Sequence, residues 1–199
     1  MIRAFYHNGP PGDASLTDSE SLRPASVENF AALGWTLRQF SEGKNYEEEA
    51  RKLAQSLGYP LTEETTLVWD FKPTGSADNS RKVQEWIGDM VSKGLSNTDL
   101  NGPNSKACLL SPELIAVVLK GNSVGDVEDP VSKSWIRFEM SEGTLMHVPE
   151  GSLRSFVWSE HPNILFKLFF KSTPVTLTWG KLAAENSPAR QAYLKSLGL

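Results

Sequence analysis

The stretch Gly143-Thr144-Leu145-Met146-His147-Val148-Pro149-Glu150-Gly151-Ser152-Leu153-Arg154 decides the fold. A mainly apolar run, 144–148, is broken by a Pro-x-Gly turn, and a second apolar run opens at Leu153. Glycine supplies the positive φ that such turns need, and proline presets its own φ. This is the pattern of short strands joined by a tight turn rather than of a helix. The same alternation extends in both directions. Apolar segments at 107–110, 114–119, 134–140, 153–158, 164–170 and 175–179 are separated by turn clusters such as Gly121-Asn122, Glu128-Asp129-Pro130 and Ser172-Thr173-Pro174. Strands recurring every ~8–12 residues predict a β-sandwich or barrel across residues 106–180.

The first half reads differently. Ser26 is placed to cap a short helix through Val27, Phe30 and Leu33 that Gly34 stops, and residues 35–40 read as a strand. Tyr46, Ala50, Leu53, Ala54 and Leu57 follow helical spacing up to Gly58 and Pro60, and residues 65–71 are β-branched and aromatic. Val83, Trp86, Ile87, Met90 and Val91 form an apolar helical stripe, followed by a polar loop over 92–105. Pro188 opens a short C-terminal helix. The chain is thus read as one domain, 1–199. Within it, 1–105 is a helical and strand elaboration, 106–180 the barrel core and 181–199 a tail.

Composition narrows the function. With 20 Lys+Arg against 24 Asp+Glu, the net charge of −4 lacks the excess of cations that a nucleic-acid surface requires. The longest purely apolar run, 114–119, is far shorter than the ~20 residues that cross a bilayer, and the start of the chain resembles no signal peptide. A single cysteine, Cys108, excludes an intramolecular disulfide and fits a reducing compartment. The expectation is a cytoplasmic protein whose partner is a small molecule, with neither nucleic acid nor membrane. Nothing in the sequence marks an oligomeric state.

Two spaced patterns sharpen the fold. Gly102, Cys108, Leu110, Leu114 and Gly121 form one, and Gly143, Pro149, Gly151 and Arg154 the other. Their glycine and proline spacings resemble the two cupin motifs. The stretches 1–6, 26–34, 135–139 and 187–197 look like the acireductone dioxygenase family, a cupin family of methionine salvage. That resemblance spans nearly the whole chain, with an insertion around 92–104. It implies an α+β, mainly β fold: a cupin-type barrel (double-stranded β-helix, or jelly roll) with N-terminal helices and a short C-terminal helix. It also implies iron or nickel held by three histidines and one glutamate.

At the four implied ligand positions stand Cys108, Leu110, Leu114 and Arg154. Two leucines donate nothing, and a guanidinium opposes a bound cation. Neither a metal nor another cofactor is therefore expected. Strand alternation carries the inner face from Leu114 to Ala116 and Val118, and from Arg154 to Phe156 and Trp158. The predicted substrate wall is Leu110, Leu114, Ala116, Val118, Phe156 and Trp158. Arg154 would stabilise a carboxylate or enolate, unless it simply pairs with Glu113 or Glu150 at the barrel rim. Glu113 and His147 are candidate acid–base groups and Cys108 a candidate nucleophile if Arg154 depresses its pKa. The expected function is a metal-independent, non-redox step of isomerisation, cyclisation, dehydration or lyase type. The alternatives are a non-catalytic ligand-binding or regulatory protein and a residual dioxygenase.

Overall fold

One long strand, β5 (Leu114–Asp129), organises the chain. The structure, a computed structural model, describes residues 2–13, 23–71, 107–157 and 163–199. Around β5 lie β1 (Ala4–His7), β2 (Thr36–Gln39), β3 (Thr66–Phe71), β4 (Cys108–Ser111) and β6 (Ser134–Ser141). The remaining strands are β7 (Thr144–Val148), β8 (Leu153–Val157), β9 (Asn163–Phe170) and β10 (Thr176–Trp179). The first half of β5 runs between β7 and β9, with Ile115 opposite both His147 and Phe169. Its second half runs between β6 and β8, with Val127 opposite both Ile136 and Arg154. A register shift between Val118 and Lys120, followed by Gly121 at φ +79°, marks the passage from one set of neighbours to the other.

Two antiparallel sheets result. In the first the order is β3-β9-β5-β7-β2, and in the second β1-β6-β5-β8-β4-β10. Alternate side chains of both meet in one core, with Leu114, Ala116 and Phe170 from the first sheet and Ile136, Phe138 and Cys108 from the second. The helices lie outside. On α2 (Tyr46–Ser56), Ala50 and Ala54 pack against Ile115, Val117, Leu145 and Phe169 on the outer face of the first sheet. The Asn45 side chain caps α2 by accepting from the Glu48 amide at 3.1 Å. Near the C-terminus, α3 (Lys181–Glu185) and α4 (Pro188–Ser196) place Ala184 and Ala189 against Leu109 and Leu153 on the outside of the second sheet. On α1 (Val27–Ala32), Phe30 closes the inner core, and the Ser26 amide donates to Asn29 Oδ1 at 2.9 Å. This is a cupin-type α+β architecture, and no helix among the described residues is long and apolar enough to cross a membrane.

One expectation is corrected, and two elements were not anticipated. Gly121-Asn122 does not end a strand, because glycine at positive φ bends β5 and lets pairing resume. β1 and α3 also arise where no period was legible, each being too short to display one. The predicted helical stripe from Val83 to Val91, the loop over 92–105 and Trp158 lie outside the described residues.

Candidate functional site

Between the two sheets lies a cavity of about 50 Å³ with walls that are almost wholly apolar. Leu110, Leu114, Ala116 and Phe156 line it as expected, joined by Trp35, Trp69, Phe138, Met140 and Met146. Val118 is fully buried in the same core but stands back from the cavity wall. Asp126 and Ser155 also line this wall, and its positive charge is Arg154. It sits on β8 opposite Val127 on one side and Cys108 on the other, and only 7% of it is exposed.

Burial pushes the Arg154 guanidinium below its usual range, opposed by the contact with Cys108. Among the described residues no carboxylate comes within ion-pair distance of it. Both rim acids that sequence reasoning offered as partners are engaged elsewhere. Glu113 accepts from Tyr59 at 2.8 Å and lies 3.1 Å from His147 Nε2, and Glu150 accepts from Ser111 Oγ. Asp126, which lines the same cavity, is held by Arg137 Nε at 2.8 Å, Arg137 Nη2 at 2.9 Å and the Gly12 amide at 2.7 Å. Burial acts to raise the Asp126 pKa, but hydrogen bonds from Arg137, His7 and Gly12 outweigh it and hold the carboxyl below its ordinary value.

The candidate acid–base groups are brought together, but not in the cavity. His147 faces the same side of the sheet as Ile115, which packs outward beneath α2. Glu113 joins it there through Tyr59, so the expectation that either works beside Arg154 is corrected. The reason is strand parity: Leu114 points inward, hence its neighbour points out. Cys108 does lie against Arg154, yet burial pushes its thiol up, and the cation does not reverse that shift. At neutral pH it is a buried thiol and not an activated nucleophile.

Sequence reasoning missed Trp35. Its indole Nε1 is buried and has no hydrogen-bond partner among the described residues. The residue lines the cavity and follows Gly34, whose φ is +76°. Had alternation been counted inward along residues 35–40 as it was from Arg154, Trp35 and Leu37 would have fallen on one face.

The donor set at the cavity does not suit a divalent ion. At the four positions where the resemblance implies ligands, Leu110, Leu114 and Arg154 line the cavity without a metal donor and Cys108 supplies one buried thiol. The Asp126 oxygens are taken by Arg137 and Gly12, and among the described residues no three His, Cys, Asp or Glu side chains converge.

Two antiparallel sheets exchanged through one bent strand, enclosing a site between them, define a cupin. No family model matches the chain. A protein of Branchiostoma floridae named acireductone dioxygenase is 34% identical over 203 residues, covering 100% of this chain and 99% of its own length. The chain belongs to the acireductone dioxygenase family. An acireductone dioxygenase of Yarrowia lipolytica is 21% identical over 198 residues, with 98% of this chain and 99% of its own covered. In fold, the chain is similar to the solved acireductone dioxygenase of Bacillus anthracis, described with a cadmium ion in its active centre. The TM-score is 0.56 at 11% identity, covering 87% of this chain and 94% of that one.

Proposed function

We propose that this chain is a metal-independent member of its family that binds a small, largely apolar anion between the sheets, with Arg154 as its counter-charge. The observation that supports this reading is the Arg154 guanidinium itself, buried in an apolar wall with no carboxylate beside it among the described residues. A permanent cation in such a place is costly unless something anionic meets it. The same cation stands at a position where the resemblance puts a metal-binding histidine, so it occupies the electrostatic role of an ion while repelling one.

The step this site favours is non-redox. A carbonyl compound passing a proton from its α carbon to a water molecule in the cavity keeps the electron pair on its oxygen, and a fixed guanidinium stabilises that enolate. Return of the proton at another position completes an isomerisation with no oxidant and no reductant. A second reading, ligand binding without turnover, is favoured by the outward position of Glu113 and His147, which leaves water as the proton carrier.

The test is twofold. Protein incubated with excess Fe(II) or Ni(II) and desalted should carry no stoichiometric metal by mass spectrometry. A panel of short carboxylates should bind by calorimetry in the presence of chelator. Stoichiometric metal, or carboxylate binding indifferent to Arg154→Met, would overturn the proposal.

A further inference from the structure

Resting on that reading of Arg154, the donor inventory of the cavity specifies the ligand more closely. Trp35 Nε1–H is buried and meets no acceptor among the described residues. Arg154 lies opposite Cys108, whose thiol is a weak donor and a poor acceptor, and among the described residues no carboxylate pairs with it. These two residues come from different walls. Trp35 leads into β2 of the first sheet, and Arg154 lies on β8 of the second. Between them the wall is mostly hydrocarbon, aromatic ring and thioether, including Leu114, Phe138, Met140 and Met146. Asp126 and Ser155 line the same space; the Asp126 oxygens are taken by Arg137 and the Gly12 amide, and the Ser155 hydroxyl lies 3.4 Å from the Phe156 carbonyl.

A cavity with donors at two places and no free carboxylate selects by what it leaves unpaired. Buried donors are ordinarily satisfied, and a ligand lacking the matching acceptor forfeits the hydrogen bond while keeping the desolvation cost. We propose that Trp35 is the second anchor of this site, so that its ligand is an oxo-monocarboxylate. The carboxylate sits on Arg154, an uncharged keto oxygen accepts from Trp35 Nε1–H, and an apolar stem joins them. A dicarboxylate is disfavoured because Trp35 offers one neutral donor and no counter-charge.

The experiment compares matched probes on the wild-type protein with chelator present. Calorimetric affinities of 2-oxopentanoate, 4-oxopentanoate and 5-oxohexanoate are set against pentanoate and hexanoate, which lack the keto oxygen. The expected result is that at least one oxo acid binds roughly five- to tenfold tighter than its parent acid. Trp35→Phe should erase that preference, so that oxo acid and parent acid bind the variant equally. Arg154→Met should abolish binding of both. The comparison of ligands on unaltered protein keeps the test valid even if Trp35→Phe fails to fold. Equal affinities for oxo and parent acids, or a preference that survives Trp35→Phe, would overturn the role of Trp35 while carboxylate binding through Arg154 stands. Failure of every carboxylate to bind would overturn both readings.

Discussion

A buried guanidinium without a carboxylate is maintained against stability, and this makes Arg154 the most informative single residue. Replacing a desolvated charge by an apolar side chain of similar volume is often stabilising by about 1–4 kcal/mol. Arg154→Met is therefore expected to raise the thermal midpoint while carboxylate affinity falls thirtyfold or more, about 2–5 kcal/mol. Calorimetry and thermal unfolding on the same preparation check both, and a structural arginine would give a lower midpoint instead. Asp126 presents the opposite case, a charge that is fully satisfied. Its folded-state pKa lies below the unfolded one, so its contribution is present above about pH 4 and disappears as pH falls toward the lower value. Urea titrations should show the wild type losing stability below about pH 4. Asp126→Asn should be less stable by about 3–5 kcal/mol at pH 7 and lack that component of the acid loss.

At the scale of elements, the turn between β7 and β8 carries most of what was legible. Gly151 was read as a turn glycine, and its φ of +81° fits that reading. The close approach behind it was not legible, because it depends on α4 arriving from elsewhere in the chain. A Cβ on Gly151 would lie 2.2 Å from the backbone oxygen of Ala189, with no flexible side chain able to yield. Gly151→Ala is expected to cost more than the ~1 kcal/mol of a simple positive-φ penalty, read as a lower urea midpoint. By contrast, Gly180→Ala has the same strain at φ +84° and open space beside it, and should cost less. Strands with repeated apolar residues, such as 164–170, were legible for the same reason that the helix 46–57 was: each displays its period over enough residues. The second half of β5, Asn-Ser-Val-Gly-Asp, hides its period because Gly125 must stay small beside the Phe138 ring, 3.0 Å from where a Cβ would be. For the site, alternation counted from Arg154 correctly reached Phe156. It was not applied across Glu113-Leu114, where it would have turned Glu113 outward.

On the scale of the whole molecule, α4 joins the ends of both cavity walls. Tyr193 donates to the Leu33 carbonyl at 2.9 Å, two residues before Trp35, and Ala189 abuts Gly151, three residues before Arg154. Arg190 anchors the helix to β5 through Glu128, and both side chains are nearly inaccessible to water. The two walls are thus registered by a helix that touches neither the cavity nor its ligand. Arg190→Met leaves Glu128 with only Lys181, a half-exposed partner at 2.6 Å, and is expected to cost about 3–5 kcal/mol in urea unfolding. Glu128→Gln combined with Arg190→Met should recover much of that loss, because the damage is an unpaired buried carboxylate and not a lost helix contact. If α4 sets the spacing of the two donors, Arg190→Met should also weaken the preferred oxo acid more than its parent acid at a temperature where the variant remains folded. Equal weakening of both acids would mean that the helix supports the fold without registering the walls.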